Sequence, residues 1–420
     1  MSLFSRGLVA AMEDEAANQE LAIDEAGAES MEADLVEAVD LAADIDSGTN
    51  EMEQTVKDAD QLERHVEVLT DAEEEGGASP EVVEATEIAV EAIYNRLGIY
   101  SGTGIPALES FTTKTGRARY TTEAIDSIKA KIKQIWEAVV NAFKKLINYV
   151  KDFFAKLFDA NKKMLARVNS LRAKAKDIKG SAKEKISGSG ISNVIDTNKS
   201  VTEASKVKDA ADLAKIHVEN VAEFIEGVSS DANFKNVSYL GNSSGKDGKG
   251  SAPEGMKWKV VYEIGGNSIV ELVPASNVKG EEAYTASAKY TVKTEKGDKK
   301  ESGEITPLSV SDISSYLSVI ENKVKELMDN KAVIAGVQTE LDKAIAEINK
   351  VVSSAAAEDK EAGTRAVKAR SAATAMGNGA IKLITLVASE TTRNLQAYLT
   401  YVERSIGAYS EDNDKKENKK

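Results

Sequence analysis

Few residues of this chain have the types and spacing that chemistry needs. Gly241-Asn-Ser-Ser-Gly245-Lys246-Asp247 has the outline of a phosphate-binding loop. Its glycines stand one residue too close, and Asp247 replaces the Ser or Thr that would ligand Mg²⁺. It reads as a flexible hairpin loop. Gly102-Thr-Gly104 and Gly377-Asn-Gly379 are bare GxG pairs without a strand–turn–helix around them, and the second reads as a bend in a helix. The chain has no cysteine and two histidines, which excludes disulfides, thiolate catalysis and a His-rich metal centre. His65, inside Glu63-Arg64-His65-Val66-Glu67, reads as part of a solvated helix face. His217, between Ile216 and Val218, reads as a half-buried structural histidine. No catalytic residue, metal ligand or cofactor is assigned, and the chain is not expected to be an enzyme.

What remains is charge, and it is unevenly placed. The 420 residues carry a net −15. Residues 1–109 hold 28 Asp and Glu against 4 Lys and Arg, a net of −24, so the rest carries +9. Residues 110–183 hold 18 bases against 6 acids. Such asymmetry describes an acidic leader fused to a basic body. Lys129, Lys133, Lys144, Lys145, Lys162, Lys163, Arg167 and Arg172 are the candidate contacts to a phosphate backbone. Binding through them would be non-specific and salt-sensitive.

The elements that carry these charges are mainly α-helical. Composition (42% hydrophobic, 5% aromatic) favours an elongated helical architecture over an aromatic-rich core. Residues 1–97 form the leader, with Leu35, Val39, Ala42 and Ile45, then Val83, Ile88, Ile93 and Leu97, as its apolar positions. They are sparse among the carboxylates, so these helices need a partner. Residues 98–109 form a linker with Gly98, Gly102, Gly104 and Pro106, the composition at which proteases cut.

In the basic segment 110–183, apolar residues fall at Ile125, Ile128, Ile132, Ile135, Val139, Phe143, Leu146, Val150, Phe153 and Leu157. Spacings of three and four make a long helical stripe. Trp136, Val140, Ile147, Phe154 and Phe158 widen it beyond one seam. A bundle core is the first reading. The alternative is an amphipathic membrane-surface helix over residues 125–158.

A helical segment follows at 191–232. Residues 233–307 read as a small antiparallel β-meander. One hairpin turns at Gly265-Gly266-Asn267, and a second spans 283–293 and 302–305 around Gly297. Residues 308–410 read as a long antiparallel helical hairpin that offers self-association, and 411–420 as a disordered charged tail. No segment is apolar over ~18 residues, so no membrane span is expected. The N-terminus is a poor secretory signal, which favours a soluble protein of a reducing compartment or of a particle assembled there.

At the junction of acid and base, Ala107-Leu108-Glu109 is followed by Ser110-Phe111-Thr-Thr-Lys-Thr and by the Ile132 to Phe158 stretch. This resembles the phiKZ-like jumbo-phage internal head proteins over about residues 100–180. The resemblance implies a structural protein inside the capsid, assembled in the host cytoplasm. It also implies a propeptide that the prohead protease removes after a small residue-X-Glu site. Ala107, Leu108, Glu109 and Ser110 fit that site; Ala11-Met-Glu13, Ser30-Met-Glu32, Ser79-Pro-Glu81 and Ala85-Thr-Glu87 share the weak motif without its context. The implied partners are the protease, other capsid and core proteins, and packaged DNA.

Overall fold

The computed structural model describes residues 25–98, 114–189, 205–226, 245–297, 303–330 and 360–410, with isolated residues between. It is built on long helices. Helix α1 spans Glu25–Glu74, α2 Pro80–Arg96 and α3 Lys114–Lys176. After the short strand β1 (Ile186–Ser187) comes α4 (Ser205–Glu226). Strands β2 (Met256–Ile264) and β3 (Asn267–Pro274), helix α5 (Glu281–Ser287) and strands β4 (Val292–Glu295) and β5 (Glu304–Ile305) form the inserted module. Helices α6 (Val310–Asp329) and α7 (Lys360–Ser410) complete the chain.

The apolar stripe of α3 does what its spacing implies. Every apolar residue that defines it, from Ile125 to Phe158, is buried. What covers it is chiefly α1, the most extensive helix pairing in the fold. Helix α1 repays this with one face that recurs every seven residues: Ala38, Ile45, Met52 and Ala59 are buried, with Val56, Leu62 and Leu69 beside them. Val39 and Ile88, expected on the apolar faces, are exposed at 62% and 63%. With Val and Ala scattered between carboxylates, the buried set is decided by the partner helix rather than by local spacing.

Helix α2 starts at Ser79, whose hydroxyl accepts from the Val82 N–H, and Pro80 occupies the first turn, where no donor is needed. It folds back on α1 through a two-pronged Arg96–Asp58 pair, at 2.6 and 3.2 Å.

Helix α7 lies at the centre. It packs most closely on α4, and also on α1, α5, α6 and α3, and from Ala369 to Val402 it is buried on almost every side. Of the helical hairpin expected over 308–410, α6 touches α7, while α4 is the larger neighbour of α7; the turn expected between its arms lies outside the described residues. Gly377 and Gly379 do not break the helix, which runs through them. They let the Phe143 and Tyr290 rings lie against its backbone.

The sheet is three-stranded, in the order β2-β3-β4 and antiparallel throughout. Gly265 and Gly266, both at positive φ, make the two-residue turn between Ile264 and Asn267. A bulge between Val260 and Tyr262 breaks the alternation of β2. Trp258, with Val260 packed beside it, therefore joins a satellite cluster with Val270 and Leu272, while Tyr262 packs on the main core. Among the described residues the expected second hairpin does not form. Glu281–Ser287 is helical, with Ala283, Tyr284 and Ser287 buried, and β5 pairs with the distant β1. The module is fastened to α7 by Asn267, which donates to Glu390 at 3.1 Å; Asn394 of α7 donates in turn to the Val194 carbonyl, ahead of α4, at 2.9 Å.

Candidate functional site

Among the described residues, the most extensive pairing of elements is the long seam where acidic α1 lies on basic α3. Its partners can be read in order. Asp34 pairs with Lys163, and Glu37 with Lys156 at 2.8 Å. Gly48 lies against Leu146, where an added Cβ would sit 2.7 Å from Cδ2. Glu63 accepts from Trp136 Nε1 at 3.3 Å, Glu73 from the Thr122 hydroxyl, and the Ala78 N–H donates to Thr121 Oγ1 at 3.0 Å. The two helices run antiparallel in one register along this length. Opposite charges thus meet at the Asp34–Glu37 end of the seam, carboxylates accept from neutral donors toward the other end, and apolar residues fill its middle.

Two cations from α7 close the seam, and nothing in the sequence reading anticipates them. Arg370, 4% exposed in its side chain, pairs with Glu63 and lies over the Trp136 ring at 4.5 Å. Lys382, also 4% exposed, donates to Asn50 Oδ1 at 2.7 Å and Glu53 Oε1 at 3.3 Å. The available signal is their setting: Lys382 is a lone cation among aliphatics and Arg370 adjoins an alanine-rich run, where an unpaired charge would be costly.

Burial governs protonation here. It pushes the Glu63 carboxyl up to about 7, against the pull of Arg370. Asp60, one turn away and hydrogen-bonded by Ser371, is pushed up to about 6 by burial. His217 is entirely buried rather than half-buried, and burial pushes it down to about 4. It lies against Tyr290, whose hydroxyl is 3.3 Å from its Nε2 and donates to Glu271 at 3.1 Å.

These shifts have opposite signs for stability. The carboxyls with raised pKa values contribute fully below their unfolded values, and the contribution is lost as pH rises through about 6 and about 7. The depressed histidine contributes above its unfolded value of 6.5, and this is lost as pH falls toward about 4. Between about 4 and 6 the two carboxyls outweigh the one histidine, so urea midpoints should fall as pH rises from about 4 to about 7. Glu63→Gln should make that fall shallower and His217→Phe should make it steeper; slopes unchanged in these variants would contradict the assignment.

The candidate phosphate contacts divide into two groups. Lys129, Lys133, Lys144, Lys145 and Lys162 are exposed on the outer side of α3. Lys163, Arg167 and Arg172 point to carboxylates of other elements, Asp34, Glu403 and Glu321. Ala107, Leu108, Glu109 and Ser110 lie outside the described residues, between α2 and α3. The 125–158 stripe faces protein, so as folded here it offers no apolar face to a bilayer. Among the described residues no helix is long and apolar enough to cross a membrane, and no group of three or more acids and histidines could hold a metal ion. A cavity of about 410 Å³ between α1, the sheet and α7 is bounded by Asp60, Trp258, Leu272 and Asn378.

The sequence model of the phiKZ-like phage internal head proteins matches residues 37–404. The match reaches well beyond the 100–180 region that carries the resemblance, and takes in most of α1, the sheet and α7. No curated protein and no solved structure matches the chain.

Proposed function

Because the chain belongs to the phiKZ-like phage internal head proteins, we propose that residues 1–109 are an acidic propeptide that the prohead protease cuts from a basic body after Glu109. The chain itself is a structural protein of the phage head. In this reading it performs no catalysis. It is a substrate once, during maturation, and then a component of the packed particle.

The observation that carries the reading is the pairing of α1 with α3. Residues 25–96 of the segment proposed as propeptide are helical and packed on the body. They supply carboxylates to its cations and an apolar face to its α3 stripe. Between the two lies the stretch with three glycines and a proline, and there the charge balance inverts. A protease cleft takes an extended strand, which a Gly/Pro linker supplies and a helix does not.

In the same reading the body contacts packaged DNA without sequence preference, through the exposed row Lys129, Lys133, Lys144, Lys145 and Lys162. Other capsid and core proteins are its remaining neighbours. The experiment is the N-terminus and intact mass of the protein from purified particles. A chain starting at Ser110 is the expected result. A chain starting at Met1 or Ser2 overturns the processing.

A further inference from the structure

The cut proposed at Glu109 breaks one peptide bond in the linker and none of the contacts that seat the acidic segment. Resting on that reading of the linker, we infer that cutting does not release the leader: residues 25–96 remain on the body as a second, non-covalent chain. The surface is the α3 seam, and its occupant is this chain's own α1 and α2.

Three features hold the leader in place. The seam is apolar along its middle, and Ile45, Met52, Ala59, Leu62 and Leu69 of α1 are each no more than 2% exposed. Burial of this kind is insensitive to salt. Two cations of α7 are buried beneath the leader, so its departure would leave Arg370 and Lys382 without Glu63 and Glu53. The far end is also tied: Tyr120 of α3 donates to Glu87 of α2 at 2.9 Å, and Arg96 holds Asp58 of α1.

The charge consequence follows. A cut particle still carries the leader's net −24, so the body's +9 appears only after a separate event detaches or destroys the leader. Two of the other small residue-X-Glu matches lie in folded chain. Ser79 caps α2 beside the buried Ala78, and Ala85-Thr86-Glu87 lies inside that helix with Thr86 buried. A protease cleft takes an extended strand, so α2 must unwind before those sites are cut.

The test uses the full chain with a recognition sequence for a sequence-specific protease placed in residues 99–106. After cutting, size exclusion and native mass spectrometry are run at about 0.15 M salt and at about 1 M, where the screening length is only ~3 Å. Both fragments should travel together in both salts and part only in denaturant. Separation at the lower salt overturns the inference. Separation only at the higher salt also overturns it, because ion pairs and not the apolar seam would then hold the leader. Particles whose protein starts at Met1 would remove the processing reading and leave this result standing. Fragments that part on cutting would do the reverse.

Discussion

Trp136→Ala should destabilise the chain by about 3–5 kcal/mol, among the larger effects of a single truncation. The indole is fully buried at the point where three helices meet. Its ring packs in the α3 seam, its N–H donates to Glu63, and its face supports the Arg370 guanidinium. Truncation opens a cavity and also loosens a buried ion pair, whose members cannot both return to water. Trp136→Phe keeps a ring beneath Arg370 and loses the N–H, so it should cost much less, about 1 kcal/mol. The comparison is a pair of urea denaturation curves. A loss below about 1 kcal/mol for the alanine variant would mean that α1 does not seat on Trp136.

Gly379→Ala carries the second large effect, and its sign is set by competition. Alanine in a helix interior gains up to ~1 kcal/mol over glycine. Here the new methyl would stand 2.1 Å from Cε1 of Tyr290. That ring is held by His217 on one side and Glu271 on the other, so it cannot step aside without breaking both contacts. Overpacking should win, with a net loss of about 2 kcal/mol. Gly407, in the same helix, has nothing within 4 Å of an added Cβ. Gly407→Ala should stabilise by about 0.5–1 kcal/mol. Equal effects of the two substitutions in thermal melts would show that the Tyr290 contact is not as tight as described.

The helical framework was legible where one strong pattern sufficed. The α3 stripe is large, aromatic and unambiguous, and all of it is buried. The α6 positions Ile313, Leu317, Ile320, Val324 and Leu327 behave the same way. The Gly265-Gly266 hairpin follows from turn chemistry alone. The failures share a cause, which is dependence on a distant partner. The buried face of α1 uses Ala38 and Ala59 and leaves Val39 outside, because α3 fixes its orientation. Ala283-Tyr284-Thr285-Ala286 alternates like a strand, yet it lies on α7 as a short helix. Arg370 and Lys382 are invisible as site residues because their carboxylates lie 307 and 329 residues away in the chain. Of the candidate site, the charge step and the linker are local and could be read. The docking of leader on body is not local and could not.

The antiparallel register of α1 on α3 also sets how the leader would yield to force. Its joint with the body, near Gly77 and Ala118, is the end to which α2 and the linker are attached. A machine that gripped the end created by the proposed cut at Glu109 would pull first on α2, then on α1 from Glu74 back toward Glu25. Contacts open one turn at a time, as in a zipper, and the peak load is that of a few residues. Traction on the opposite end, while the body is held at the tail of α3, also peels; traction along the seam from opposite ends would load every contact together. An interface that held as a whole against dilution and salt would thus still yield to a modest steady pull from that end.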